Sequence, residues 1–580
     1  MMTSPWPLRF GLVLLACSTG PASFAGASAS PPNPLPPSPI RRLCFNYDGW
    51  SPFYNGSAPA DIRRAIDRLA GTQVTTVMLS PSLGQSVNYP SQVSELCHWR
   101  ALAPGVREEL YHVMGETAAG GVEQVAALYR REGFDGFGVL VDAVRQSGRE
   151  AFVTLRMNDV HMVTLENGDG PYTDAFYRRH PDWRLPEGGL NYGIPEVRAH
   201  RLAIMEELLR RYPFTGLELD FLRSPPYFPP NSPAPARPGR DEKSGKEAAR
   251  WTEPDPNATD FSRDNAEAQV PVMTEFVGAV RRMVERVRRE TGRPIALCAR
   301  VPSSLAGCRR IGLDPVAWHQ HGWLDFLTVG KFLQLVQALP IADYQRAMPG
   351  LPLYASIDYV VGGPLLDGYF HPRDGTAEIY RGAAAALYAQ GADGLTLFNM
   401  FAAQANGSDP QGRNWNHGEP LEVLREIGDP ATLEGRDKLY LVDGTFTLFA
   451  RPLFDARAQL PAAVTATAPL RVTLAVGERE PARKSCTLRV VTAQAASGLN
   501  LSVSVNGRDA GPARPAQAVH LFPEPYDQKP PALGQCHDFA VDGTGLNYGR
   551  NEISVRSAEP VTVTSIELAV TTPRRPPAVQ

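Results

Sequence analysis

Residues 41–430 repeat one pattern eight times, a short apolar strand-like run followed by a helix-like segment. "RRLCFNYDG" leads to "PADIRRAIDRLAG". "QVTTVMLSPS" leads, after an insertion, to "VEQVAALYRREG" and "FGVLVDAVRQSG". "EAFVTLRMNDVH" precedes "PEVRAHRLAIMEELLRRY", and "GLELDF" precedes a long polar loop and "VPVMTEFVGAVRRMVERVRRETG". "PIALCARVPSS" is followed by "DPVAWHQHGW", "LDFLTVGKFLQ" by "IADYQRAM", "PLYASIDYVV" by "TAEIYRGAAAALYAQGA", and "GLTLFNMFA" by "PLEVLREIG". Short apolar strands separated by helices specify a parallel sheet. Eight in series specify a closed α/β barrel of the (β/α)8 (TIM) type. An open doubly wound sheet normally has fewer units per domain, and no GxGxxG turn follows any strand here.

From about Lys438 the pattern changes to period two. "KLYLVDGTFTLFA", "LRVTLAVG", "SCTLRVVTAQ", "LNLSVSVNGRDA", "QAVHLFP", "CHDFAV", "NEISVRS" and "VTVTSIELAV" alternate, with hairpin signals at "VNGR" and "VDG". An all-β sandwich is expected over residues 438–575, following a barrel domain over residues 41–435. The 580-residue length agrees with more than one domain.

The N-terminus reads as an export signal over residues 1–27, then a Pro-rich linker over residues 28–40. Arg9 precedes "FGLVLLA", an apolar run too short to span a bilayer. Two processing readings compete. "SFAGASA" offers small-residue cleavage sites near Ala25 and Ala27. "LLAC" fits a bacterial lipoprotein signal, which would lipidate Cys17 and anchor the chain to a membrane. Either way the mature chain is expected outside the cytoplasm: periplasmic, secreted or lipid-anchored. "PPNPLPPSP" then acts as a stiff spacer. Apart from Cys17, six of the seven cysteines remain, and Cys486 and Cys536 are the only two in the C-terminal part. They are expected to form a disulfide. No CxxC spacing suggests a zinc site. No cofactor motif is present, and none is expected. A formal net charge of -3 gives no electrostatic case for a nucleic-acid partner.

Chemistry in such a barrel sits at the C-terminal strand ends. In "FTGLELDFLRSPPYF", Glu218 and Asp220 alternate with Leu217, Leu219 and Phe221. The two acids therefore share the inward face, about 6–7 Å apart along the strand. Arg223 stands just above. Burying two carboxylates is costly unless they are paired or at work. The other strand ends supply Asn46, Asp48 and Trp50, then Ser80, then Arg156, Asn158, Asp159 and His161. Arg300, Lys331, Asp358 and Asn399 complete the ring. Acids, arginines, amides and aromatics suit sugar hydroxyls and sugar faces, and two carboxylates suit glycoside hydrolysis. Asp220, Glu218, Asp159 and Asp358 are the candidate catalytic residues. Asp48, Trp50, Arg156, Asn158, His161, Arg223, Arg300 and Asn399 are the candidate substrate contacts, with a carbohydrate as partner. Plainer structural roles stand beside these: Arg156 and Arg300 neutralising Glu218, Asp48 capping a turn, His161 satisfied in a loop. The long loop at 224–262 is expected over the catalytic face.

The stretch "FTGLELDFLRSP" resembles the fourth-strand motif of the family 10-like glycosyl hydrolases, and "RMNDVH" fits the same bacterial group. More distantly, "GLELD" is similar to the segment that holds the nucleophilic aspartate in α-amylase-like and α-glucosidase-like barrels. On that resemblance Asp220 takes the nucleophile's place, and the chain is an exported glycoside hydrolase. Thr215 stands where the pattern has an aspartate. Arg300 and Lys331 stand where an acid is expected on strands five and six. The acid/base must then be Glu218, Asp159, Asp358 or a loop residue. "LSVSVNGRDA", "LNYGRNEISVR" and "VTSIELAV" resemble the galactose-binding-like jelly-roll domains appended to such enzymes, which either bind carbohydrate or brace the barrel. A non-catalytic carbohydrate-binding or cell-envelope protein is the alternative reading. A metal-dependent hydrolase using Asp159, His161, Glu218 and Asp220 ranks last.

Overall fold

A computed structural model describes residues 41–49, 51–53, 58–96, 127–129, 132–160, 172–186, 188–223, 226–229, 263–358, 360–361, 365–366, 369–370, 373–398, 400, 420–442, 444, 459–495, 499–523 and 531–572. Residues 1–27 and 28–40, read as export signal and linker, lie outside them, as do Trp50, Cys97, His161, Asn399 and nearly all of the 224–262 stretch.

Eight parallel strands close into a barrel in chain order: β1 Leu43–Tyr47, β2 Thr76–Leu79, β3 Glu150–Arg156, β4 Gly216–Asp220, β5 Ala296–Pro302, β6 Phe326–Gly330, β7 Leu353–Asp358 and β8 Gly394–Phe398. The principal helices between them are α1 Pro59–Asp67, α2 Gly136–Gln146, α3 Pro195–Arg211, α4 Val270–Thr291, α5 Pro315–Gln320, α6 Ile341–Ala347 and α7 Ala377–Ala389. Local chemistry sets their ends. Asp135 caps α2 by accepting from the Gly138 N–H at 2.8 Å. Gly292, at φ 66°, stops α4 in the left-handed conformation that glycine tolerates. The eighth unit departs from expectation. "PLEVLREIG" forms only a 3-10 turn, Pro420–Arg425, followed by another at Pro430–Leu433. Gly428 and Pro430 cut the segment below the length that repays helix nucleation.

Strand period two divides the residues cleanly. Odd-numbered side chains such as Leu217, Leu219, Leu297, Leu327 and Leu395 join the large core between strands and helices. Even-numbered Cys44, Met78, Phe152, Cys298, Phe326 and Tyr354 form a separate cluster inside the barrel. Following the strand pairing once around the barrel returns to β4 eight residues earlier. That shear sorts the inward side chains into layers of four drawn from alternate strands. A floor layer holds Cys44, Phe152, Cys298 and Tyr354. Met78, Glu218, Thr328 and Thr396 lie above it, then Asn46, Thr154, Arg300 and Ser356, then Ser80, Asp220, Gly330 and Phe398. Asp48, Arg156 and Asp358 form the rim. The floor is closed underneath. The Arg42 guanidinium lies 5.9 Å from the Phe152 ring centre and 5.6 Å from that of Phe326, and it pairs with Glu150 at 2.7 Å. Gly216 makes room for this floor: a Cβ there would stand 2.2 Å from the Phe152 ring.

Beyond the barrel lie two antiparallel sheets. The larger orders β9 Lys438–Leu441, β15 Val561–Thr571, β11 Ser485–Thr492 and β13 Cys536–Val541, with short segments on its edges. The smaller orders β10 Leu470–Val476, β14 Gly549–Ser557 and β12 Leu501–Val505. Val563, Ile566 and Leu568 of one sheet and Val472, Leu474 and Val555 of the other belong to one core. The "VNGR" hairpin turns through Asn506 and Gly507, both at positive φ. "QAVHLFP" was expected as a strand but forms bends.

The expected disulfide is not formed, and Cys486 and Cys536 are both free. The register explains why. Cys486 opposes Val541 while Cys536 opposes Val491, five positions along β11. Five residues of strand span roughly 17 Å, far beyond the reach of a disulfide.

The sandwich is joined to α7. Gln337 donates to the carbonyls of Ile379 on α7 (3.4 Å) and Leu439 on β9 (3.0 Å), and accepts from the Leu441 N–H (3.0 Å). Cβ atoms at Gly382 and Gly477 would each stand 2.2 Å from a carbonyl oxygen across the junction, Leu439 and Ala385 respectively. The two backbones meet there without side chains between them.

Candidate active site

The C-terminal mouth carries two arginine-centred clusters. On β5 the Arg300 guanidinium is fully buried and donates to both oxygens of Asp220 (3.2 and 3.4 Å) and of Asp358 (3.1 and 3.0 Å). Ser356 bonds Asp358 at 2.8 Å and accepts from Arg300 Nε at 3.3 Å. Beside this cluster, Arg156 on β3 pairs with Asp159 at 3.0 Å and with Asp48. Phe398 on β8 lies against both guanidiniums, its ring centre 3.7 Å from Arg300 Cζ and 5.7 Å from Arg156 Cζ. Charges so deep in a fold persist when paired and hydrogen-bonded, as both arginines are here.

Asp220 and Glu218 sit two layers apart on β4 in different surroundings. Asp220 is held by Arg300 and by the Leu222 N–H at 3.1 Å. The plainer structural reading had Arg156 and Arg300 neutralising Glu218, but neither bonds to it. Those guanidiniums reach sideways to the carboxylates at their own height and above. Glu218 Oε1 instead accepts from the Thr154 hydroxyl at 2.7 Å, and Oε2 is buried without a partner. Burial first, and the Asp220 charge second, push the Glu218 carboxyl up to about 7. An arginine holding it would have pulled the value down instead. Asp358 is also pushed up by burial, to about 6, with Arg300 pulling the other way.

Arg223 stands over Phe332 at 5.0 Å, and burial, then Arg156, lowers its guanidinium to about 10. Asn158 is occupied elsewhere. Its side chain donates to the carbonyls of Leu190 (3.2 Å) and Pro226 (2.7 Å) and accepts from the Leu190 N–H (2.7 Å). It clamps the loops after β3 and β4 together over the mouth. Ser80 bonds the Ser82 carbonyl at 3.0 Å, and Lys331 is buried past β6. Asp48, Arg156, Asp159, Asp220, Arg223, Arg300 and Asp358 thus converge at this end of the barrel, with Glu218 two layers below Asp220 on the same strand. Sequence reasoning missed Thr154, Ser356 and Phe398. Their even positions on β3, β7 and β8, the face shared with Arg156, Asp358 and Thr396, were the available signal. Among the described residues, no group of three or more His, Cys, Asp or Glu side chains could hold a metal ion. No described helix is long and apolar enough to cross a membrane.

The fold and the mouth define a (β/α)8 barrel with an arginine-tied carboxylate cluster at the C-terminal ends of its strands. No family model and no curated protein matches the chain. Solved structures with similarity include a family GH18 chitinase from Chromobacterium violaceum, at 12% identity and TM-score 0.36, covering 93% of this chain and 89% of that one. The PgaB glycoside hydrolase domain from Bordetella bronchiseptica matches at 12% identity and TM-score 0.34, covering 67% and 99%. A maltogenic α-amylase, AmyB, from Thermotoga neapolitana matches at 8% identity and TM-score 0.34, covering 90% and 98%. Scores this low carry no inference about activity.

Proposed function

We propose that the chain is a glycoside hydrolase acting on a poly- or oligosaccharide, with Asp220 as nucleophile or principal transition-state carboxylate. The observation that carries this reading is the contrast on β4. One carboxylate is gripped by a guanidinium. Its neighbour two residues away has no charged hydrogen-bond partner and is pushed up to about 7. Glycoside hydrolysis needs one carboxyl that holds a proton and one that stays ionised. Asp159 and Asp358 are tied to Arg156 and Arg300, while Glu218 keeps a spare oxygen, which makes Glu218 the better acid/base. The export signal in residues 1–27 agrees with a substrate outside the cytoplasm, and the "FTGLELDFLRSP" resemblance supports the same class.

A second reading is a carbohydrate-binding barrel without turnover. The full burial of Asp220, Arg300 and Asp358 in one ion-paired group favours it. A panel of polysaccharides and oligosaccharides, assayed for released reducing ends, separates the two. The hydrolase reading expects activity that Asp220→Asn lowers by on the order of 10³-fold or more in a folded protein. A folded Asp220→Asn protein with near-full activity would remove Asp220 from that role. Binding to a glycan without any release of reducing ends would establish the second reading.

A further inference from the structure

The buried carboxyl of Glu218 presents two unequal oxygens. Oε1 takes the Thr154 hydroxyl hydrogen bond at 2.7 Å, while Oε2 has no hydrogen-bond partner although the residue is 1% exposed. An oxygen already accepting from a donor is a poor place for a proton. The free oxygen is where one would reside. Buried polar atoms are almost always satisfied, so a carboxyl oxygen left without a protein partner in a barrel interior is open to carry a proton.

We propose that Thr154 is a positioning residue for Glu218, fixing the carboxyl so that its exchangeable proton sits on Oε2 and is presented to a hydroxyl or glycosidic oxygen of a bound sugar. This rests on the hydrolase reading for the identity of the acceptor, but not for the location of the proton.

The surroundings of Glu218 agree. Asp220 on its own strand is the neighbouring anion, and Arg300 on β5 is the neighbouring cation. Cys298 on β5 and Cys44 on β1 face the same interior, and burial holds both thiols neutral. Met78, Thr328 and Thr396 occupy its own layer, with the two threonine hydroxyls 3.3 Å apart and engaged with each other. Within this set Thr154 supplies the only hydrogen bond that any described residue makes to the Glu218 side chain. The hydroxyl donates, so it favours the ionised carboxylate. Removing it leaves burial and Asp220 less opposed, and the proton is then held more tightly.

The experiment reads the proton directly and needs no substrate. Infrared spectra of the full chain with 13C-labelled glutamate, recorded between pH 5 and 9, are compared with those of Glu218→Gln. The difference isolates the carboxylic band of Glu218. In the wild type it should fade near neutrality. In Thr154→Val the fading should move upward by roughly one pH unit, and Thr154→Ser should restore the wild-type titration. Thr154→Ala serves in place of Thr154→Val if the valine variant does not fold. A Glu218 band absent already at pH 5.5 would overturn the proposal, as would an unshifted titration in the folded valine or alanine variant. Where turnover is found, the alkaline limb of kcat/KM should shift with the infrared titration. A chain that hydrolyses nothing in the panel yet shows the shift would refute the hydrolase reading and leave the Thr154 assignment standing.

Discussion

At the scale of single residues, proton affinity sets the predictions. Glu218 holds its proton up to about 7, above the ordinary 4.5 of a glutamate. A group whose folded value is raised stabilises the fold fully below the unfolded value and ceases to do so above the folded one. Its contribution should therefore be whole below about pH 4.5 and gone above about pH 7. Glu218→Gln should flatten the fall in stability across that window, by at most about 3 kcal/mol. Urea unfolding at pH 4.5 and pH 7.5 checks this, and equal slopes in mutant and wild type would contradict it. Glu150, Asp174 and Glu206 are shifted downward, so their contributions are lost at more acidic pH and do not mask the effect. Asn158→Ala should cost about 1–3 kcal/mol by leaving backbone groups of two loops unsatisfied, which thermal denaturation would show.

At the scale of elements, much of the barrel was legible and its partnerships were not. Alternation in "GLELD" was enough to put Glu218 and Asp220 on the inward face, because a strand has only two faces. Which guanidinium meets which acid depends on register and shear between strands, and neither is written in any one segment. That is why Arg300, one reading of which had it neutralising Glu218, is found joining Asp220 to Asp358. Phe398 read as one more apolar strand residue, though Gly394 and Thr396 on the same face already marked it as inward. The disulfide failed for a similar reason. Two cysteines in one domain say nothing of the five positions that separate them along β11. The close approach of Gly216 to Phe152 is an element-level test. Gly216→Ala should cost roughly 1–3 kcal/mol, and Phe152→Leu in the same chain should recover part of it. Full additivity of the two changes would mean that the two residues do not touch.

At the scale of the whole molecule, barrel and sandwich meet backbone to backbone at two glycines. Gly382 faces the Leu439 carbonyl, Gly477 faces the Ala385 carbonyl, and Gln337 ties both sides. The two domains should unfold in a single calorimetric transition. Gly382→Val should lower that transition by a few degrees without splitting it, since the added branch meets backbone that cannot swing away. Two separate transitions in the wild type would show that the junction does not couple the domains.

The aromatic floor closed by Arg42 makes the two ends of the barrel unlike. With Cys44, Phe152, Cys298, Tyr354 and Phe326 filling the lower interior, the barrel is a cul-de-sac. A barrel so filled offers no route from one end to the other.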